Sequence, residues 1–97
     1  MFNNTELMEN NNIEVWTESR GRKSDTYIYG WKLSDLELKE QLKNIKKNRG
    51  CNGSIKEITR DTGKIKVMQL QGNNKEYVVA YLVSQGVDEQ CIKIKLI

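Results

Sequence analysis

Ile13 and Val15 alternate with Glu14 in the first patterned stretch of the chain, and this period of two predicts a half-buried strand over Ile13–Glu18. Trp16 is its ambiguous member, an aromatic ring at a position that the alternation assigns to the polar side. β-Branched and aromatic residues crowd Thr26–Trp31 and predict a second strand. Between the two lies Arg20-Gly21-Arg22-Lys23, a turn whose glycine supplies the backbone freedom that a hairpin needs. The period then becomes helical. Leu38, Leu42 and Ile45 recur at i, i+4, i+7 as an apolar stripe, and Lys39, Lys43 and Lys46 recur at the same spacing on another face. Ser34 and Glu37 have the spacing of a capping box, Leu33 and Leu38 that of a hydrophobic staple, and Gly50 is a stop signal.

Alternation returns in Ser54–Thr59 and Lys64–Gln71, two strands joined by Arg60-Asp61-Thr62-Gly63. Asn73 and Glu76 repeat the capping pattern and open a second helix, which carries Val78, Val79, Tyr81 and Leu82 and stops at Gly86. Cys91–Leu96 alternates once more and predicts a last strand at a sheet edge, with Lys93 and Lys95 discouraging unwanted pairing there. The order β-β-α-β-β-α-β predicts an α+β fold: a two-layer open-faced sandwich, a mixed sheet with both helices on one face. Residues 1–12 are asparagine-rich and aperiodic and are expected to be a disordered tail, leaving 13–97 as a single domain.

Composition narrows the function. With 97 residues the chain supports one thin core and no large internal pocket. It has no histidine, so the usual general base is absent, and no set of residues forms a catalytic constellation. An enzyme is not expected. Cys51 and Cys91 lie forty residues apart, in no metal or redox spacing, and are expected to be reduced thiols without a metal or cofactor. No apolar run approaches the ~18 residues of a membrane span and no leader pattern is seen, so a cytosolic monomer is expected. The net charge of +3 is unevenly spread. Residues 1–19 hold four acids and no base, residues 20–66 hold thirteen bases against six acids, and the remainder is balanced. Such concentration favours a localised anionic partner, above all a nucleic-acid backbone. The candidate contacts are Arg20, Gly21, Arg22 and Lys23 at the hairpin tip, and Lys39, Lys43, Lys46, Lys47 and Arg49 along the first helix. Trp16, Tyr27, Tyr29 and Trp31 could stack bases, but aromatics on hairpin strands more often serve as core or cross-strand packing, and that reading is preferred.

Three segments carry a family resemblance. Gly21-Arg22-Lys23-Ser24 through Gly30 is similar to a hairpin motif N-G-R-K-T-x-T-x-V-x-G-L. Lys46-Lys47 followed by Gly50-Cys51-Asn52-Gly53-Ser54 is similar to a helix exit K-K-x-x-x-C-N-G-T, and Gln69-Leu70-Gln71-Gly72 matches Q-L-Q-G. In this order and spacing they resemble eukaryotic translation initiation factor 1, the Sui family, over residues 13–96. The resemblance implies a non-enzymatic factor that docks on the small ribosomal subunit, on 18S rRNA beside the P site and close to initiator tRNA and mRNA. There it would keep the channel open for scanning, oppose near-cognate start codons and work with other initiation factors. Asn73 stands where the family usually has aspartate, Trp31 where leucine is usual, and the chain closes on Lys95-Leu96-Ile97 rather than a glycine-aromatic pair. These departures describe a divergent member, and the abundance of Asn, Lys and Ile suggests AT-rich coding, as in a protist or a large DNA virus. Two other readings compete. One is a protein-interaction module that binds initiation factors, or modulates them as a viral protein, without docking on the ribosome. The other is a general RNA-binding domain outside translation.

Overall fold

The computed structural model describes residues 12–61 and 63–95. Strands β1 (Ile13–Arg20) and β2 (Lys23–Tyr29) pair antiparallel with Arg20 opposite Lys23, leaving Gly21-Arg22 as a two-residue loop. Gly21 has φ 61° and Arg22 does not have a positive φ, the pattern of a type II′ turn, whose twist matches that of the strands it joins. Both strands run further into the turn than the alternation predicts, because this tight loop keeps the ladder paired as far as Arg20 and Lys23.

Helix α1 (Asp35–Arg49) begins as its sequence signals require. The Ser34 hydroxyl accepts from Glu37 N–H at 3.2 Å, while the Glu37 carboxylate accepts from Ser34 N–H at 3.0 Å, so both free donors are satisfied. Gly50, left-handed at φ 59°, ends it. Strands β3 (Gly53–Arg60) and β4 (Gly63–Gln71), helix α2 (Lys75–Ser84), a 3₁₀ turn (Glu89–Cys91) and β5 (Ile92–Ile94) follow. The sheet order is β3-β4-β2-β1-β5, antiparallel except for β5, which pairs parallel with β1. The sheet is thus mixed, as expected.

Ile13, Val15, Ile28, Met68 and Leu70 from the sheet join Leu42 and Ile45 from α1 and Val78 and Leu82 from α2 in one buried cluster. Both helices therefore cover the same face. No described helix is long and apolar enough to cross a membrane.

Two expectations are corrected. Helix α2 is preceded by Asn74, not Asn73, and its side chain does not cap it. Asn74 is instead committed elsewhere: its backbone N–H donates to Thr26 Oγ1 and its amide to the Gln71 carbonyl, at 2.8 and 2.9 Å. Asn73 Oδ1 accepts only a long bond, 3.4 Å, from Lys75 N–H. Cys91 closes the 3₁₀ turn rather than opening the last strand, because Asp88 caps that turn and the Cys91 N–H reaches back to the Asp88 carbonyl at 2.8 Å. Trp16 lies on the side to which the alternation assigns it, the sheet face opposite the helices, and is buried there against its cross-strand partner Tyr27. The predicted tail, apart from Asn12, and Leu96 lie outside the described residues.

Gly53 sets how closely α1 lies on the sheet. A Cβ there would sit 2.5 Å from the Gln69 carbonyl oxygen, 2.9 Å from Leu70 Cδ2 and 3.2 Å from Leu42 Cδ1. The first of these atoms is backbone and cannot yield cheaply. Gly53→Ala is expected to destabilise the fold by roughly 2–3 kcal/mol through this overpacking. Gly21→Ala, in open space at positive φ, should cost only about 1 kcal/mol. Urea unfolding of both variants checks the ranking.

Candidate nucleic-acid interface

The three motif segments are far apart in sequence, and the pairing of β4 with β2 brings them together. Asp25 lies opposite Gln71 and Thr26 opposite Leu70. Beyond the ladder, Gly72 N–H donates to the Ser24 carbonyl at 2.7 Å, and Gln71 N–H donates to the Asn52 carbonyl at 2.8 Å. The buried Thr26 hydroxyl donates to the Gly72 carbonyl and accepts from Asn74 N–H, both at 2.8 Å. Hairpin tip, helix exit and Q-L-Q-G therefore meet at one end of the molecule. Between them is a shallow depression walled by Arg20, Arg22, Lys23, Lys46, Asn52 and Gly72. No acidic side chain lines it.

Arg20 is not a loose cation. Its guanidinium donates from Nε to Asp25 Oδ2 at 2.5 Å and from Nη2 to Oδ1 at 3.2 Å, and Gln69 adds an amide bond to Oδ2 at 3.1 Å. Asp25 is completely buried while Arg20 remains 53% exposed, so the pair is anchored at the carboxylate and open at the guanidinium. The hydrogen bond from Arg20 pulls the Asp25 carboxyl below its ordinary range against the effect of burial, helped by Gln69 and by the charges of Arg20 and Lys56. Sequence reading missed Asp25. Its signal was available in the two-residue loop, which places Asp25 diagonally across from Arg20. Without it Arg20 would face only Lys23, a like charge directly opposite.

The other expected residues divide. Lys46 is half-buried and faces the depression, whereas Lys39, Lys43 and Lys47 are exposed on α1 outside its lining. Arg49 turns toward α2, with Nε donating to Asn74 Oδ1 at 3.1 Å and the guanidinium 4.9 Å over the Tyr77 ring. Cys51 is a half-buried free thiol packed against the core, and Leu70 is fully buried. Gln69 holds Asp25, and Gln71 is exposed at the strand end. Gly72 takes φ 93°, which the turn out of β4 requires.

The sheet face away from the helices is covered from within. Trp16 and Tyr27 stack at 5.4 Å between centroids with ring planes 14° apart. The Arg60 guanidinium lies 4.9 Å over Trp16 and 5.1 Å over Tyr29. Glu14 holds both Arg60 and Lys95 at 3.0 Å. Burial raises the Glu14 pKa, but the hydrogen bonds and charges of Lys95 and Arg60 outweigh it and leave the group lowered. On the helix side, Trp31 meets Tyr81 edge-on at 6.4 Å. The aromatics thus pack among themselves and with cations, the preferred reading from sequence. Among the described residues, no group of three or more His, Cys, Asp or Glu could hold a metal ion.

The chain is an open-faced α+β sandwich whose basic end is assembled from three separate segments. The profile of the family described as Translation initiation factor SUI1 matches residues 9–88. The chain is 34% identical over 91 residues to Eukaryotic translation initiation factor eIF-1 of Saccharomyces cerevisiae, covering 92% of this chain and 81% of that protein. It is 35% identical over 86 residues to Protein translation factor sui1 of Schizosaccharomyces pombe, covering 87% and 75%. A Protein translation factor SUI1 homolog of Methanocaldococcus jannaschii is 31% identical over 88 residues, covering 90% and 78%. The chain belongs to the SUI1 family of translation initiation factors, as a divergent member. The family is tied to the translation initiation machinery and is not an enzyme class.

The buried carboxylate has a pH signature. A carboxyl whose folded pKa lies below its unfolded value contributes stability that is complete above the unfolded pKa, about 3.9 for Asp, and is lost as pH falls through the folded one. Asp25→Asn removes that contribution. The wild type should therefore lose more stability than Asp25→Asn between about pH 5 and pH 2, and the gap between them should narrow with acid. Denaturant titrations of both proteins across that range would show it, and parallel curves would contradict it.

Proposed function

We propose that this protein acts in the cytoplasm as an initiation factor that docks on the small ribosomal subunit near the P site. There it promotes scanning and accurate start-codon selection. The observation that carries this reading is the meeting of hairpin tip, α1 exit and Q-L-Q-G around one depression with four cationic walls and no acidic lining. Such a surface suits the phosphate backbone of folded RNA, which it would grip without reading base sequence. Arg22 and Lys23 are exposed on the hairpin tip and would reach rRNA phosphates beside the initiator tRNA path. The exposed Lys39, Lys43 and Lys47 add a second basic area along α1. A tip that occupies space near the tRNA opposes its full seating until a start codon pairs, and this makes early commitment harder. Family membership supports the same role and implies partners among the other initiation factors.

Arg22→Glu combined with Lys23→Glu should weaken binding to purified 40S subunits by ~10-fold or more at moderate salt, with a shallower salt dependence. Initiation at near-cognate codons should rise in a reporter assay. Unchanged 40S affinity would count against ribosomal docking. If initiation factors were captured as well by the variant as by the wild type, with no co-sedimentation of either protein with 40S, the protein-interaction module would be the better reading.

A further inference from the structure

Arg20 walls not one depression but two. On its far side, across the end of the sheet, a second depression is lined by Arg20, Asn52, Ser54, Lys56, Gln69 and Gln71. The two share Arg20, Asn52 and Gln71 and so adjoin, and together they make a groove that extends from the end of α1 onto the sheet face away from the helices. We infer that the RNA-contacting surface crosses Arg20 and continues along this groove to Lys56, which makes a second backbone contact on the open face of the sheet. This rests on the docking proposed above and extends it to Lys56, which neither the motifs nor the candidate basic contacts single out.

The groove suits a phosphodiester strand along its whole length. Neither half is lined by an acidic side chain. Of the carboxylates nearby, Asp25 is fully buried and matched by Arg20, and Glu18, its cross-strand neighbour, lines the next depression and accepts from the Trp16 indole N–H. Only two of the five guanidinium N–H donors of Arg20 are taken by Asp25, and the remainder are left for an anion. Because Asp25 and Gln69 fix its position, Arg20 can act as a post between the halves without ordering a flexible side chain on binding. The second half then adds Lys56, Ser54 and Gln69 to the shared Asn52 and Gln71, groups that bind phosphate oxygens and 2′-hydroxyls. Base stacking is not available here, since Trp16 is 2% exposed and stacked on Tyr27. The groove also has an end. The next depression on this face mixes Glu18 and Asp61 with Arg60 and Lys95, and Arg60 is held by Glu14.

The test measures affinity for purified 40S subunits at two salt concentrations. Lys56→Glu is compared with the tip double variant and with Lys93→Glu, an exposed lysine on β5 outside both halves. Lys56→Glu should weaken binding roughly 3- to 10-fold, and Lys56→Gln should reduce the slope of log affinity against log salt by about one. Lys93→Glu should stay within about twofold of wild type. If Lys56→Glu behaves like Lys93→Glu while the tip variant loses binding, the contact ends at the tip and this extension is overturned, with the docking reading intact. If the tip variant also binds normally, the docking reading itself falls. Asp25→Asn tests the post separately. It removes a negative charge beside the groove, which alone would tighten RNA binding, yet loss of the anchor on Arg20 should weaken it by about threefold or more. Tighter or unchanged binding would overturn that role. Lys56 is exposed on an edge strand, so matched thermal melts are expected to confirm that its variants are folded.

Discussion

Strand β4 lies beside β2 rather than at the sheet edge, and the register that sets Thr26 against Leu70 is the constraint on which the other features rest. It buries Leu70 in the core and places the Thr26 hydroxyl where it bonds both the Gly72 carbonyl and the Asn74 N–H. A buried hydroxyl so satisfied on both sides stabilises one arrangement of the turn between β4 and α2, because any shift would leave polar groups unpaired. The same register sets Asp25 beside Gln69 and Gln71, which lets one carboxylate tie β1, β2 and β4 together at their common end. A slip of one residue would turn Leu70 to the open face and send Gln69 and Gln71 into the core.

The second structural problem is the sheet face that no helix covers. A two-layer sandwich leaves it to solvent or to a partner, and here the chain supplies its own cover. Arg60, from the β3–β4 hairpin, lies over Trp16 and Tyr29, and its charge is matched by Glu14, which also holds Lys95. The arrangement joins three strands that are not all neighbours in the sheet. It also divides the face: one end is sealed by aromatic rings and paired ions, and the other carries amides and cations with no acidic side chain in its lining.

Much of the architecture could be read directly along the chain. The capping box of Ser34 and Glu37, the stop at Gly50, the apolar stripe of Leu38, Leu42 and Ile45 and the tight turn at Gly21 are local signals, and each depends on atoms within one or two turns of backbone. Asn73 shows where local reading fails. Its spacing to Glu76 is that of a cap, but the register of a distant strand selected Asn74 to precede the helix and then used its side chain to hold Gln71 and Arg49. Trp16 sits on the face that its alternation assigns, but the extent of its burial there depends on the cross-strand partner Tyr27 and the distant Arg60.

The candidate site divides along the same line. Sequence alone determined that a cationic turn exists at Arg20-Gly21-Arg22-Lys23, that a lysine-bearing helix ends in Cys51-Asn52-Gly53, and that a strand ends in Gln69-Leu70-Gln71-Gly72. Charge, glycine and periodicity are properties of short segments. Only the tertiary structure decided that these three segments share one surface, that Lys46 joins it while Arg49 turns away to Asn74 and Tyr77, and that Arg20 is anchored on a buried Asp25. Those outcomes depend on sheet order and register, which are settled by the burial of apolar side chains from the whole chain at once and leave no local mark in any one segment.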